Sequence, residues 1–250
     1  MKLHLDPTSF IDTAKGIDIS IPIDANKGAK AWYVEHPVIE PVRANGFVGS
    51  VEEGGNVNFK DITFNPHGNG THTECVGHIS KSFYSVNNSL KEFFFKAHLV
   101  TCSPKEMKNE FYNEEDLVID VDQIPDLHDG CKAIVIRTKP NNSDKMVKTY
   151  SGVNAPYLSE AAIQKIVDMN VEHLLIDLPS VDREVDEGVL NAHHIFWNYP
   201  ADANISRTIT ELIYVPDEVN DGVYLLEIQM ASFENDASPS RPVLYEIFED

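Results

Sequence analysis

The sequence predicts an α/β fold with a mixed, strand-rich sheet. Three observations predict it. Short apolar runs outnumber helical patterns along the chain. Between Ala133 and Leu178 a strand, an amphipathic helix and a second strand follow in the order of a βαβ unit. Apolar residues make up 42% of the chain and charged residues 24%, enough for a sizeable core. At 250 residues the expectation is one domain, residues 1–250.

The first element is the run in which Ile17, Ile19, Ile21 and Ile23 alternate with Asp18, Ser20 and Pro22, the period of a half-buried strand, with Pro22 placing it at an edge or a strand end. Val57, Phe59, Ile62 and Phe64 mark a second strand that runs into His67. The stretches Ser103 to Asp116 and Lys139 to Lys145 are polar and rich in Asn and Pro, which predicts surface loops or a short exposed helix. Ala133 to Ile136 is a buried strand. Ser159 then precedes a helical pattern with Ala162, Ile163, Ile166 and Val167 on one face, and Asn170 is placed to close it in a left-handed conformation. His173 to Leu178, Thr210 to Val215 and Gly222 to Met230 read as further strands.

Charge excludes whole classes of partner. The formal net charge is −20, from 40 acidic against 20 basic side chains, and a surface of that sign repels nucleic-acid phosphates and anionic lipid headgroups. Neither nucleic acid nor membrane is an expected partner; a small-molecule substrate is. The three cysteines, Cys75, Cys102 and Cys131, are an odd set with no CxxC spacing, as expected in a reducing cytoplasm. The N-terminal residues lack the apolar stretch of a signal peptide, and no run of about 18 apolar residues occurs. A cytoplasmic location is expected.

The chemistry concentrates in HGNGTHTECVGH, His67 to His78, where His67, His72, Glu74, Cys75 and His78 crowd nitrogen, carboxylate and thiol donors together. In extended backbone, positions i and i+2 share a face, so His72 and Glu74 present an imidazole and a carboxylate to one ion. Gly68, Gly70 and Gly77 allow the backbone to turn tightly around it. A structural zinc site saturates four positions with Cys and His; a carboxylate among the histidines favours a catalytic site.

From Gly68 to His78 the string GNGTHTECVGH resembles HxGTHxDxPxH, the signature of the cyclase family of metal-dependent hydrolases that includes kynurenine formamidase and isatin hydrolase. Gly70, Thr71, His72 and His78 match, Glu74 stands for the family's Asp, Gly68 for its first His and Val76 for its Pro. DISIPID (Asp18 to Asp24), IVIRT (Ile134 to Thr138), the run from Tyr157 to Asp182, Ala192 to His194, Glu211 and SPSRPV (Ser238 to Val243) are similar to further family segments in the same order.

The resemblance implies a swivelling β/β/α layered domain with one or two divalent ions, zinc ahead of manganese, and a metal-bound water that attacks an amide, formamide or lactam carbonyl. It implies His72, Glu74, His193 and Glu211 as metal ligands and His78 as the proton-transfer residue, with His194 competing with His193. His67 is the replacement for the His absent at Gly68, through a local bulge that restores its direction. Asp177, Ser180 and Asp182 are expected to brace their loop, and Trp32, Tyr33 and Trp197 to supply an aromatic wall. A homo-oligomer, dimer or tetramer, is expected. Two readings compete: an inert family member that binds a small molecule or partner, and a cysteine hydrolase using Cys75 with His78.

Overall fold

AIVIRT, Ala133–Thr138, is buried at every position, and a strand of that kind is stable only where neighbours flank both edges and apolar layers cover both faces. The structure is a computed structural model and describes residues 1–128 and 130–249. It places this segment within a mixed sheet of eight strands: β1 (Ile17–Asp18), β2 (His72–Glu74), β3 (Phe94–Cys102), β4 (Ala133–Thr138), β5 (His173–Ile176), β6 (Thr208–Glu211), β7 (Gly222–Met230) and β8 (Ala237–Glu246). Their spatial order is β7-β3-β4-β5-β6-β2-β8-β1. Because β7 also pairs with β8, the sheet closes into a barrel-like ring of seven strands with β1 added on β8. The run from β3 through β4 and β5 to β6 is parallel, and the other pairings are antiparallel.

Alternation along the central strands divides the core. Ala133, Val135, Leu175, Leu99 and Leu226 belong to one apolar cluster. Ile134, Ile136, Leu174 and Ile176 belong to another, which the helices cover. Among the described residues the α-helices are α1 (Val86–Ser89), α2 (Glu160–Asp168) and α3 (Asn191–Trp197). Ser159 Oγ caps α2 by accepting from Ala162 N at 3.1 Å. Ala162, Ile163 and Ile166 are its buried face. Asn170, at φ 57°, terminates it in the left-handed conformation expected. β4, α2 and β5 form the expected crossover between parallel neighbours. This is the α/β fold with a mixed, strand-rich sheet that the sequence predicts.

Several elements differ in extent. The Ile17 run keeps its period, burying Ile19 and Ile21, but its ladder ends at Asp18, with Ser20 only bridging to Ile213. The expected strand from Val57 contracts to Lys60–Thr63, paired with Val38–Pro41 in a two-stranded arm. Val57, Phe59 and Ile62 are more than half exposed there, so this strand contributes nothing to the core. Ser103 to Asp116 is not a loop: Lys105–Asn109 and Glu114–Ile119 form an antiparallel hairpin, whose turn is held by Asn109 Oδ1 accepting from Phe111 N and Tyr112 N. Thr210 to Val215 shifts to Thr208–Glu211 because Leu212 adopts φ 53° and leaves the ladder. No helix of the described residues is long and apolar enough to cross a membrane.

Candidate metal centre

β2 is three residues long, wholly buried, and hydrogen-bonded on both sides, to β6 and β8. Its alternation sorts the donors. Thr73 turns to the polar ladder, meeting Thr210 Oγ1 at 2.7 Å and Ser240 Oγ at 2.9 Å. His72 and Glu74 therefore share the opposite face. The register sets Glu211 on β6 directly across from His72, and His72 Nε2 lies 3.3 Å from Glu211 Oε2. The other ring nitrogen of His72 faces Gly70 O at 3.2 Å, which orients the ring.

His67 and His193, outside the strands, reach the same point by other means. His67 belongs to a turn in which Asn65 Oδ1 accepts from His67 N at 2.9 Å and from Gly68 N at 3.1 Å. Its Nδ1 lies 3.0 Å from Glu74 Oε2. Gly68 faces elsewhere: a Cβ there would sit 2.5 Å from Val34 Cγ2 and 3.1 Å from Ala31 O. His67 thus reaches the cluster through this side-chain-held turn rather than through the strand bulge expected. His193 sits in the first turn of α3, where Asp182 accepts from Ala192 N at 2.8 Å and His193 N at 3.1 Å and meets His193 Nδ1 at 2.5 Å. His193 Nε2 then lies 3.2 Å from Glu74 Oε1. His194 points away, its Nδ1 against Tyr199 O at 2.9 Å.

Glu74 is the common member. Its neighbours make two donor groups, His72 with Glu74 and Glu211, and His67 with Glu74 and His78. The contacts have ion-pair distances, yet among the described residues His72 Nε2, both oxygens of Glu74 and Glu211 Oε1 are buried without a well-aligned hydrogen-bond partner. Leaving four such atoms unpaired costs far more than ordinary packing recovers. Lone pairs that converge without bonding one another are the arrangement of ligands around a cation, and three or four imidazoles with two carboxylates fit a divalent ion.

The electrostatics show how strongly these groups interact. Burial alone would push His67 down, but the carboxylates of Asp236 and Glu74 outweigh it and push it up to about 10. His193 is likewise held up, to about 10, against its burial by Asp182 and Glu74. Glu74, despite complete burial, is held well below the usual carboxylate range by His78, His193 and His67.

His78 ends the turn Val76–His78, with its Nδ1 3.7 Å from Glu74 Oε2 and 3.6 Å from Asp236 Oδ2. It borders a cavity of about 340 Å³ lined also by Trp32, Val34, Ser180, Leu190 and His193. Of the aromatic wall expected, only Trp32 lines this cavity. Tyr33 is 73% exposed, and Trp197 is buried beneath the His193 ring. Asp177, Ser180 and Asp182 do brace their loop, Asp177 by accepting from Thr138 N and Lys145 Nζ and Ser180 by accepting from Asp182 N at 3.0 Å. Cys75 faces Tyr84 O and Gly77 N instead of the cluster, and burial pushes its thiol up, which disfavours the thiolate a nucleophile needs. Asp236, which touches both His67 and His78, carries no signal in the sequence, because nothing in ENDASPS marks one acid among 40.

The model of the family described as "Putative cyclase" matches residues 17–183. The chain belongs to the cyclase family. Among solved structures, this cyclase-family chain is similar to a potential metal-dependent hydrolase with cyclase activity at 16% identity and TM-score 0.64, covering 92% of this chain and 97% of that one. It is similar to a protein from Bacillus stearothermophilus described as a "predicted metal-dependent hydrolase", at 17% identity and TM-score 0.62, covering 92% and 98%. Isatin hydrolase A from Labrenzia aggregata, bound to benzyl benzoate, matches at 13% identity and TM-score 0.63, covering 92% and 93%. These likenesses establish the fold. No curated protein is matched by the sequence.

Proposed function

We propose that this cyclase-family protein is a metal-dependent hydrolase that cleaves a carbon–nitrogen bond in a small amide, formamide or lactam. The observation that carries this reading is the convergence of unpaired buried atoms on His72, Glu74 and Glu211 beneath a cavity that His78 borders. His67, His72, Glu74, His193 and Glu211 hold one or two divalent ions, zinc ahead of manganese, since imidazole with carboxylate is a borderline donor set. A divalent ion in that position brings water towards ionisation at neutral pH and polarises a carbonyl oxygen.

The chain's own residues do the rest. Asp182 fixes the His193 ring, and Gly70 O fixes His72, so both rings are held in one orientation. His78 directs Nδ1 towards Glu74 and Asp236, which leaves Nε2 to pass a proton to the departing nitrogen. Trp32, Val34 and Leu190 form apolar walls that keep bulk water from the scissile bond. The active form is a homo-oligomer in which each copy acts as one domain, a point that light scattering decides.

The test is metal analysis of purified protein coupled to hydrolysis of a panel of aryl formamides, cyclic imides and lactams. The wild type is expected to retain about one or two ions and to lose turnover with a chelator. His78→Ala should keep the metal and lose about 100-fold or more in turnover, whereas His72→Ala should lose the metal itself. Protein that stays metal-free after incubation with zinc and with manganese overturns the proposal. Full metal with no turnover on any substrate supports instead a family member that binds without catalysing.

A further inference from the structure

His67 is the least supported of the donors by backbone. It stands in a turn rather than in a strand, and no ladder fixes the direction of its ring. One nitrogen, Nδ1, lies towards Glu74. The other, Nε2, lies 2.8 Å from Asp236 Oδ2, a hydrogen-bonded contact that ties the ring to a segment 169 positions away. We propose that Asp236 is a positioning residue of the metal centre, holding His67 so that its Nδ1 lone pair faces the ion and bracing His78 with the same carboxylate oxygen. The inference rests on the metal-centre reading above.

The placement of Asp236 is built into the sheet. Its successor Ala237 opens β8 and pairs with Glu74 in the β2 register, and Cys75 N donates to Asp236 O at 3.0 Å. The ladder that aligns Glu74 therefore also sets Asp236 beside it. On the other flank the Val76–His78 turn packs so closely that a Cβ at Gly77 would lie 3.1 Å from Asp236 Cβ and 2.3 Å from Tyr84 O. Only glycine admits that approach. With the turn in place, His78 Nδ1 reaches Asp236 Oδ2 at 3.6 Å, and the His67 and His78 rings stand 4.4 Å apart.

An imidazole that ligates through one nitrogen needs its proton on the other, and a carboxylate at that second nitrogen both selects the tautomer and aims the ring. Gly70 O serves His72 in this way, and Asp182 serves His193. Asp236 completes the set for His67. His67 needs such a partner more than His72 does, because it stands in a turn where no strand ladder aims its ring.

The experiment compares zinc affinity, by competition with a chromophoric chelator, and the visible spectrum after cobalt substitution in full-length wild type, Asp236→Ala, Asp236→Asn, His67→Ala and the Asp236→Ala/His67→Ala double variant. Asp236→Ala should weaken binding by about 10- to 100-fold and alter the cobalt spectrum. Asp236→Asn, whose amide oxygen still accepts from His67 Nε2, should recover most of the affinity. The double variant should bind no more weakly than His67→Ala alone, since Asp236 acts on the ion through His67. Wild-type affinity and an unchanged spectrum in Asp236→Ala overturn this inference alone, as do losses that add fully in the double variant. A wild type that takes up neither zinc nor cobalt overturns the metal-centre reading and this inference with it.

Discussion

At the scale of single residues, the site depends on which side chain occupies which side of a very short strand. His72 and Glu74 were legible because a period of two needs only local backbone, whereas Glu211 was legible only through the family resemblance, since its place across from His72 is set by pairing. His67 was legible only as a displaced donor; its actual route, a turn held by Asn65 Oδ1, depends on a side-chain bond that no periodicity signals. Asp236 was illegible because its role comes from a register 162 positions distant from Glu74. The displacement from position 68 to 67 has a sharp consequence. A Cβ at Gly68 would meet Val34 Cγ2 at 2.5 Å, so Gly68→His, which restores the first His of the family signature in letters, should cost about 1–3 kcal/mol by overpacking. Combined with His67→Ala it should not restore zinc affinity, because the new ring is aimed at the Ala31 to Val34 wall. Urea denaturation and chelator competition read the two effects, and a double variant that regains wild-type affinity would show that position 68 faces the ion.

At the scale of elements, α2 was legible throughout: cap, apolar face and left-handed close are all local signals. The Lys105–Asn109 and Glu114–Ile119 hairpin was not, because its strands are largely exposed and carry charge where alternation is usually read. β3 was illegible for a related reason, since Lys96 and His98 interrupt its apolar run. β5 hides a titratable group of its own. His173 is buried between β4 and β6, with Nδ1 2.8 Å from Thr208 Oγ1 and its ring 3.9 Å from that of Phe95. Burial pushes it down to about 4 from an ordinary 6.5. The unfolded chain therefore takes up a proton that the folded chain refuses, and stability that is complete above about pH 6.5 falls as the pH drops towards 4. Between pH 7 and pH 5 the loss should be about 2 kcal/mol. His173→Gln removes the titration, so urea denaturation at the two pH values should give a flatter dependence in the variant; equal slopes would show that β5 tolerates the charged ring.

At the scale of the whole molecule, the βαβ order and the strand-rich composition were local facts, but closure of the ring was not. It depends on β7 pairing with both β3 and β8, and pairing register is set by long-range contacts that alternation cannot specify. Closure is what assembles the site: β6 is brought beside β2, β8 locks β2 from its other edge, and α3 lowers His193 onto Glu74. In the unfolded chain these donors are spread from position 67 to position 211, so an ion that needs them together binds the folded state almost exclusively. Binding then adds to folding stability by mass action, about 4 kcal/mol at a thousandfold excess over Kd. For a chain of this size that corresponds to a rise in Tm of about 10 °C. The rise should appear when zinc is added to chelator-treated protein, persist in His78→Ala, which leaves the donors of β2 and β6 intact, and vanish in His72→Ala. Calorimetry that shows the same Tm with and without zinc in the wild type would mean that ring closure and ion binding are uncoupled, and that the buried lone pairs of His72, Glu74 and Glu211 are satisfied by something other than a metal.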